Sequence, residues 1–239
     1  MHPPIDIPTA HVARLWRYPV KSMLGQPAEA LDLYPGGIAG DRVHAVRDAS
    51  GRPASGKKMD GHAHIPNLLD FSAGYSGEIV EIHFPDGSHH RTDDPDIDAA
   101  LSDALGQPVL LTRERDSAHV DYGALHLLTT ASLTWLHEVL PAAAIDERRF
   151  RPNLVLDAPG DGPIEQDWIG QRLTIGEVEL RITEPTERCG MVSMAHAELP
   201  RDPRVLRSIT TNANMNFGVY ADILHPGRIT TGAPVQQPA

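Results

Sequence analysis

The chain reads Arg-Leu-Thr-Ile-Gly-Glu-Val-Glu-Leu-Arg-Ile from residue 172 to residue 182. Apolar and polar residues alternate on both sides of the Gly176-Glu177 pair, which is typical of two strands joined by a tight turn. Short strand-like runs bounded by Gly and Pro recur along the whole chain, and we count more than eight of them. With about three short helices among them, this pattern predicts a β-rich α+β fold built on barrels.

Three segments have the apolar spacing and the end signals of helices. One follows the acidic connector at 93–98 and is closed by Gly106, because glycine readily takes the left-handed backbone at a helix end. The second lies near Ser132–Leu140, where a hydroxyl can cap its start. The third begins at Asp202-Pro203, a capping residue followed by a first-turn proline.

The composition excludes several classes of protein. Of the 239 residues 41% are hydrophobic and 22% are charged, as in soluble globular proteins. No apolar run approaches the roughly 18 residues that cross a bilayer, and the first eleven residues have no signal-peptide core. We therefore expect a cytoplasmic protein that binds no membrane, and its one cysteine fits a reducing compartment.

The net charge of −11 is concentrated in one region. Ten acidic residues and a single Arg lie between Asp60 and Leu105, so the rest of the chain is close to neutral. The balance argues against nucleic-acid binding. Basic residues gather elsewhere, and each cluster is either a solvated face or part of a site for an anionic ligand. The clusters are Arg14, Arg17 and Lys21; Arg42 and Arg47; Lys57 and Lys58; and Arg148, Arg149 and Arg151.

Cys189 lies in the loop that follows the hairpin, next to Arg188 and Gly190. Taken alone, the thiol is either a small buried apolar group or, as a thiolate beside Arg188, a nucleophile or soft-metal ligand. The thirteen histidines match no zinc spacing, and the chain has no Gly-x-Ser-x-Gly elbow, P-loop or dinucleotide fingerprint. These other chemistries are therefore disfavoured.

Two groups of motifs resemble a known family. The segment Val12-Ala-Arg-Leu-Trp-Arg-Tyr-Pro-Val-Lys-Ser22, followed by Gly40-Asp-Arg42, looks like the N-terminal β-barrel region that accompanies MOSC domains. The segment Arg149-Phe-Arg-Pro-Asn-Leu-Val155, with Trp168-Ile-Gly170 and Arg188-Cys189, looks like the MOSC domain itself. The resemblance runs in order over nearly the whole chain. It implies an N-terminal β-barrel-like domain at 10–118 packed on a MOSC β-barrel with a few short helices at 119–237, with elements that can interleave.

The resemblance also implies a function. Similar proteins, the amidoxime-reducing components and their bacterial relatives, bind a molybdenum–pyranopterin cofactor and reduce N-hydroxylated small molecules. Cys189 then corresponds to the molybdenum ligand and catalytic residue. The residues implied in holding the cofactor's phosphate and pterin are Lys21, Ser22, Arg42, Thr130, Ser132, Arg149, Arg151, Asn153 and Arg188.

Two functional hypotheses remain open at this stage. The first is a molybdenum-cofactor-dependent reductase that takes electrons from a separate donor protein, of the ferredoxin or flavin/iron–sulfur type. The second is a non-redox carrier of the cofactor or of sulfur that uses Cys189. The resemblance leads us to expect a bulkier apolar residue directly after the cysteine. The chain has Gly190 there instead, so its substrate pocket is expected to differ from the family pattern.

Overall fold

The computed structural model describes residues 7–113 and 122–238. Over these residues the chain is rich in strands, as the sequence predicts. The elements are β1 (Ala10–Arg17), β2 (Gln26–Ala28), β3 (Ala30–Tyr34), β4 (Gly37–Ile38), β5 (His44–Asp48), β6 (Ala54–Ser55), β7 (Ala63–His64), β8 (Ser72–Ser76), β9 (Ile79–His83), β10 (His89–Arg91), α1 (Ile97–Leu105), β11 (Val109–Arg113), β12 (Leu125–Thr129), α2 (Thr130–Val139), β13 (Leu154–Asp157), β14 (Arg172–Ile175), β15 (Val178–Glu187), α3 (Pro203–Asn212), β16 (Asn216–His225), β17 (Gly227–Thr230) and β18 (Pro234–Gln236).

Seven strands form a closed barrel in the order β13, β12, β16, β15, β14, β18, β1, and β1 returns to pair with β13. The β12–β13 pair is parallel, whereas the other pairs in the barrel are antiparallel. Alternate side chains point inward and build an apolar core that includes Leu15, Leu154, Leu173, Ile182 and Val219. The predicted hairpin is β14–β15, paired from Ile175 with Val178 onward.

Strand β1 comes from the first residues of the chain but belongs to the barrel of the second half. Its backbone pairs with β13 from His11 to Leu15, and Ala10 pairs with Val235 of β18. Two side-chain contacts fix its register: the guanidinium of Arg14 and the indole N–H of Trp16 both bind the carboxylate of Glu147, at 2.6 Å each. The two predicted segments therefore interleave.

A smaller group of sheets fills the rest of the first half. The strands β8, β9 and β10 form one antiparallel sheet, and β5 pairs with β11. These elements and α1 enclose a second apolar core, formed by Val20, Val46, Phe71, Ile82 and Leu101 among others. A third sheet joins β3 and β4 to β17, so the two halves are linked at a second place. The predicted domain boundary at 118–119 lies outside the described residues.

The helices begin and end where the sequence signals indicate. Gly106 closes α1 with a φ of 67°, the left-handed conformation that glycine adopts without strain. The hydroxyl of Thr129 caps α2, two to three residues before the predicted start, and the carboxylate of Asp202 caps α3. Helices α2 and α3 pack beside the barrel over a third apolar cluster that contains Phe150 and Phe217. Among the described residues, no helix has the length and apolarity of a membrane span.

Candidate functional site

Three separate chain segments meet at Tyr18, just after β1: its own, residues 41–42 and residues 151–152. The ring is buried, its hydroxyl donates to the carbonyl of Pro152 at 3.0 Å, and its backbone N–H donates to the carboxylate of Asp41 at 2.7 Å. The guanidinium of Arg151 lies 4.3 Å from the ring centre and that of Arg42 lies 5.0 Å from it. Burial raises the pKa of Tyr18, so the phenol stays neutral and its ring can stack with both cations.

The backbone is strained at three of the predicted cofactor residues. Ser22, Arg42 and Arg151 have φ angles of 66°, 52° and 54°, in a left-handed region that non-glycine residues seldom occupy. Backbone hydrogen bonds hold two of them: the N–H of Arg42 donates to Tyr18 at 2.6 Å, and that of Arg151 donates to Glu147 at 3.2 Å. Such strain costs roughly 1–3 kcal/mol per residue and tends to occur at functional sites.

Lys21 and Ser22 lie in the turn after β1, beside Arg151. Lys21 is buried, and its backbone N–H donates to the carbonyl of His44 at 2.8 Å. The hydroxyl of Ser22 donates to Ala54 at 3.4 Å, and the guanidinium of Arg151 donates to the carbonyl of Met23 at 2.5 Å. The structure therefore brings Lys21, Ser22, Arg42 and Arg151 into one region, which we call the arginine cluster.

Asn153 connects the arginine cluster to the barrel. Its side chain is fully buried and donates to the carbonyl of Trp16 at 3.3 Å, while its amide oxygen accepts from Arg42 and from the backbone of His126 at 3.4 Å each. All these contacts are made within the protein. Asn153 thus positions the segments that carry the cations.

Arg188 lies beneath the cluster, buried next to Cys189. Its guanidinium donates to the carbonyls of Phe217 at 2.8 Å and Phe150 at 3.2 Å, and to the Nε2 atom of His126 at 2.8 Å. Burial lowers the pKa of Arg188 to about 10, while the nearby Tyr220 and Cys189 act in the opposite direction. The side chain therefore remains charged at neutral pH.

His126 is the acceptor that sequence reasoning missed. Because Nε2 accepts from Arg188, the ring carries its proton on Nδ1, which faces the carbonyl of Arg151 at 3.3 Å. Burial, and then the charge of Arg188, hold its pKa well below the ordinary value, so the ring is neutral. Gly218 makes room for it, since a Cβ there would lie 2.5 Å from Nε2. Tyr18 and Asp41, in the quoted motifs, were also left out of the predicted site, and His126 had no signal among thirteen histidines.

Cys189 follows β15 and is partly exposed. Its backbone is extended, and a short 3-10 turn at Gly190–Ser193 begins directly after it. Gly190 borders open space: a Cβ placed there would meet nothing within 4 Å. An accessible thiol next to a buried guanidinium, at the end of a barrel strand, has the character of a metal ligand or a reactive group.

Three predicted site residues are directed elsewhere. The hydroxyl of Ser132 donates to the buried carboxylate of Glu165 at 2.6 Å, and that of Thr130 donates to Asp157 at 2.8 Å. Arg149 is fully buried and donates to the carbonyls of Ala144 at 2.9 Å, Met194 at 3.2 Å and Pro200 at 2.8 Å. The structure does not bring these side chains to the arginine cluster. Arg149 braces the loop after Cys189 instead.

A cavity of about 790 Å³ lies away from Cys189. Its wall is partly apolar and includes Trp16 and Leu133. Its arginines are paired within the protein, Arg14 with Glu147 and Arg148 with Asp146. Since neither Cys189 nor Arg188 lines it, this cavity is not part of the candidate site.

Two family profiles and several curated proteins are similar to this chain. The profile of the MOSC domain matches residues 90–236, and that of the MOSC N-terminal beta barrel domain matches residues 9–126. A molybdenum cofactor sulfurase of Oryza sativa subsp. japonica is 24% identical over 237 residues, covering 77% of this chain and 28% of the relative. Molybdenum cofactor sulfurase 3 of Aedes aegypti is 30% identical over 115 residues, covering 43% and 14%. The chain thus spans less than a third of these curated relatives.

Solved structures are similar to this chain at low sequence identity. The YUAD protein from Bacillus subtilis has a TM-score of 0.53 and 14% identity, with 96% of each chain covered. The structure of YiiM from Escherichia coli has a TM-score of 0.46 and 12% identity, covering 99% of this chain and 71% of that one. At these identities the first similarity supports the barrel architecture alone.

Proposed function

Because the chain belongs to the MOSC domain family, with the N-terminal β-barrel domain that accompanies it, we propose that it binds a molybdenum–pyranopterin cofactor and reduces N-hydroxylated small molecules. One observation carries the proposal. Arg42 and Arg151, from distant segments, both stack on Tyr18 with strained backbones in an otherwise acidic protein. Asp41 pairs with Arg42, and guanidiniums brought to one region are the groups that best recognise a phosphate.

The residues present fit such a cofactor. The guanidiniums of Arg42 and Arg151, together with Lys21, provide cations for a dianionic phosphate. Tyr18 and Asn153 hold these cations in place through the hydrogen bonds described above. The partly exposed thiol of Cys189 provides the soft ligand that molybdenum requires.

The chain binds and orients, and the cofactor carries the redox chemistry. When bound, it supplies the two-electron step by which an N–OH group and two protons become an N–H group and water. Arg188 places a fixed positive charge beside Cys189, where it complements the negative charge of a metal-bound sulfur. Residues 1–239 contain one cysteine and cannot provide the four thiolates of a typical iron–sulfur cluster, so the electrons come from outside this sequence, and we propose a separate donor protein.

A carrier function is the second candidate. The curated relatives are named molybdenum cofactor sulfurases, which favours a protein that handles the cofactor without reducing a substrate. The arginine cluster and the thiol of Cys189 serve either role. Turnover separates the two candidates. In both, a reduced thiol fits a cytoplasmic protein.

The experiment uses protein produced in a host that synthesises the cofactor. We expect about one molybdenum and one pterin per chain, and reduction of benzamidoxime with a chemical electron donor. Cys189→Ala should lose the metal and the turnover, and Arg151→Met should lose the pterin. The matched control is Arg172→Met, an exposed residue of β14 that pairs with Glu179, which should retain both. Molybdenum without turnover favours the carrier, and protein without molybdenum overturns both proposals.

A further inference from the structure

A cavity of about 430 Å³ lies beside the candidate site, between the turn after Cys189 and helix α3. Gly190 forms part of its wall, so the cavity begins at the residue directly after the thiol. Its volume is within the range of small-molecule sites, about 300–1,000 Å³. The cavity is separate from the arginine cluster, since neither Arg42 nor Arg151 lines it.

Apolar side chains form much of this cavity. Met194 comes from the loop after the 3-10 turn, and Pro203 and Leu206 come from the first two turns of α3. Most of the exposed surface inside the cavity is therefore apolar. An aromatic or aliphatic group bound there would be removed from water, at about 25 cal/mol per Å² of apolar surface buried.

Two arginines contribute positive charge to the cavity. Arg201 and Arg207 both line it, and neither guanidinium makes a hydrogen bond or ion pair with a residue that the structure describes. Arg204, between them in sequence, is bound to Asp202 at 2.7 Å. None of the described residues that line the cavity carries a carboxylate. The cavity is therefore positively charged, in a chain with a net charge of −11.

Ser193 also lines the cavity, and its Oγ is buried with no hydrogen-bond partner among the described residues. Buried polar groups are nearly always hydrogen-bonded, so this hydroxyl is an exception. Because the Oγ is itself closed to solvent, the groups that can donate to an anion in the cavity are the two guanidiniums.

We propose that this cavity selects the substrate by binding a carboxylate on an aromatic or aliphatic body, with Arg201 and Arg207 as the cationic contacts and Gly190 leaving open the way to Cys189. The inference rests on the proposed function and names its substrate class, an N-hydroxylated compound that also carries a carboxylate. Arg–carboxylate contacts are directional and often bidentate, so they orient the ligand. The N–OH end then points toward the thiol.

Direct binding tests the proposal without regard to turnover. Isothermal titration of the purified chain with 4-carboxybenzamidoxime and with neutral benzamidoxime gives a ratio of affinities. We expect the carboxylated compound to bind at least tenfold more tightly, and the ratio to fall roughly tenfold in the double variant Arg201→Gln/Arg207→Gln. Arg172→Gln, on the outer face of β14, is the matched control and should keep the wild-type ratio.

The outcomes separate this inference from the proposed function. If both compounds bind equally, or if the double variant weakens both to the same degree, the cavity does not recognise carboxylates and the inference is overturned. Reduction of neutral benzamidoxime would still support the reductase in that case. If the carboxylated compound binds through the two arginines but no N-hydroxylated compound is reduced, the carboxylate site is supported and the reductase is not.

Discussion

Gly190 follows Cys189 directly and lines the neighbouring cavity. Its φ lies outside the left-handed region, and a Cβ there meets no atom within 4 Å, so a larger residue fits without backbone strain. We predict that Gly190→Leu raises the KM of benzamidoxime several-fold, because the side chain fills open space in front of the thiol. Steady-state kinetics with a chemical donor measure this.

A graded series controls for effects on the metal. Gly190→Ala should give a smaller change in KM than Gly190→Leu, with the molybdenum content of both equal to that of the parent. A loss of molybdenum in proportion to side-chain size would show that residue 190 protects the ligand, and would contradict a role in substrate access.

His126 makes the stability of the protein depend on pH. Its pKa in the folded chain is below the ordinary value of 6.5, chiefly because of burial, whereas in the unfolded chain it returns to that value. Between these two values the unfolded state binds the extra proton, so stability is lost as the pH falls below about 6.5. Buried His196, whose pKa is also lowered by burial, acts in the same direction.

We predict that His126→Gln flattens this dependence. Between pH 6.5 and 5.5 the free energy of unfolding of the parent should fall by about 1 kcal/mol more than that of the variant, measured by urea denaturation. His89→Gln, on an exposed strand, should keep the parental slope. Equal slopes in the parent and in His126→Gln would contradict a neutral buried imidazole.

The resemblance to the MOSC family implied Cys189, Arg42 and Arg151 as site residues, and the structure brings the two arginines together at Tyr18. Hydroxyls are less specific, and Ser132 turned out to bind Glu165. Arg149 ends the 3-10 turn at Glu147–Arg149, two residues before Arg151, and the two side chains reach different partners. Composition and spacing contain no information about that turn.

Arg149 fastens the loop after Cys189 to the rest of the protein. Its guanidinium is buried and donates to carbonyls at residues 144, 194 and 200. We predict that Arg149→Met lowers the free energy of unfolding by about 2–4 kcal/mol, because those buried carbonyls lose their donors. Urea denaturation followed by circular dichroism measures the loss.

The neighbouring Arg148 is the matched control. It is partly exposed and pairs with Asp146 and Glu198 on the surface, so Arg148→Met should cost less than about 1 kcal/mol. A similar small cost for Arg149→Met would mean that water replaces the guanidinium, and the loop would not depend on it.

Local sequence signals predicted the helices and strands, but they did not predict which distant strands pair with each other. The Gly176-Glu177 turn, Gly106 and the Asp202-Pro203 cap each act within a few residues, and the structure confirms all three elements. The alternation in β1 shows that it is a strand but does not indicate its neighbours. Its place between β13 and β18 depends on packing against residues near the other end of the chain.

The second half of the chain depends on the first half to complete its barrel, because β1 is one of the seven barrel strands. We predict that a fragment of residues 122–238 does not form the barrel, because it lacks β1 and exposes the edges of β13 and β18. Its amide NMR spectrum should show poor dispersion. Adding a peptide of residues 7–24 should restore dispersed signals, and a peptide with Leu15→Asp should not, since Leu15 is buried in the barrel core. A fragment that is well dispersed alone would contradict this prediction.

The pairing of Ala10 with Val235 also determines when the molecule can finish folding during synthesis. The core around Val46, Phe71 and Leu101 draws on residues 20–109 and can assemble while the rest of the chain is still being translated. The barrel cannot close until β18 has left the ribosome, because β1 waits for that partner and for β13. Until then a nascent chain carries β1 without its barrel partners β13 and β18, with β2 as its available neighbour, and chaperones that bind such segments should recognise residues 10–17.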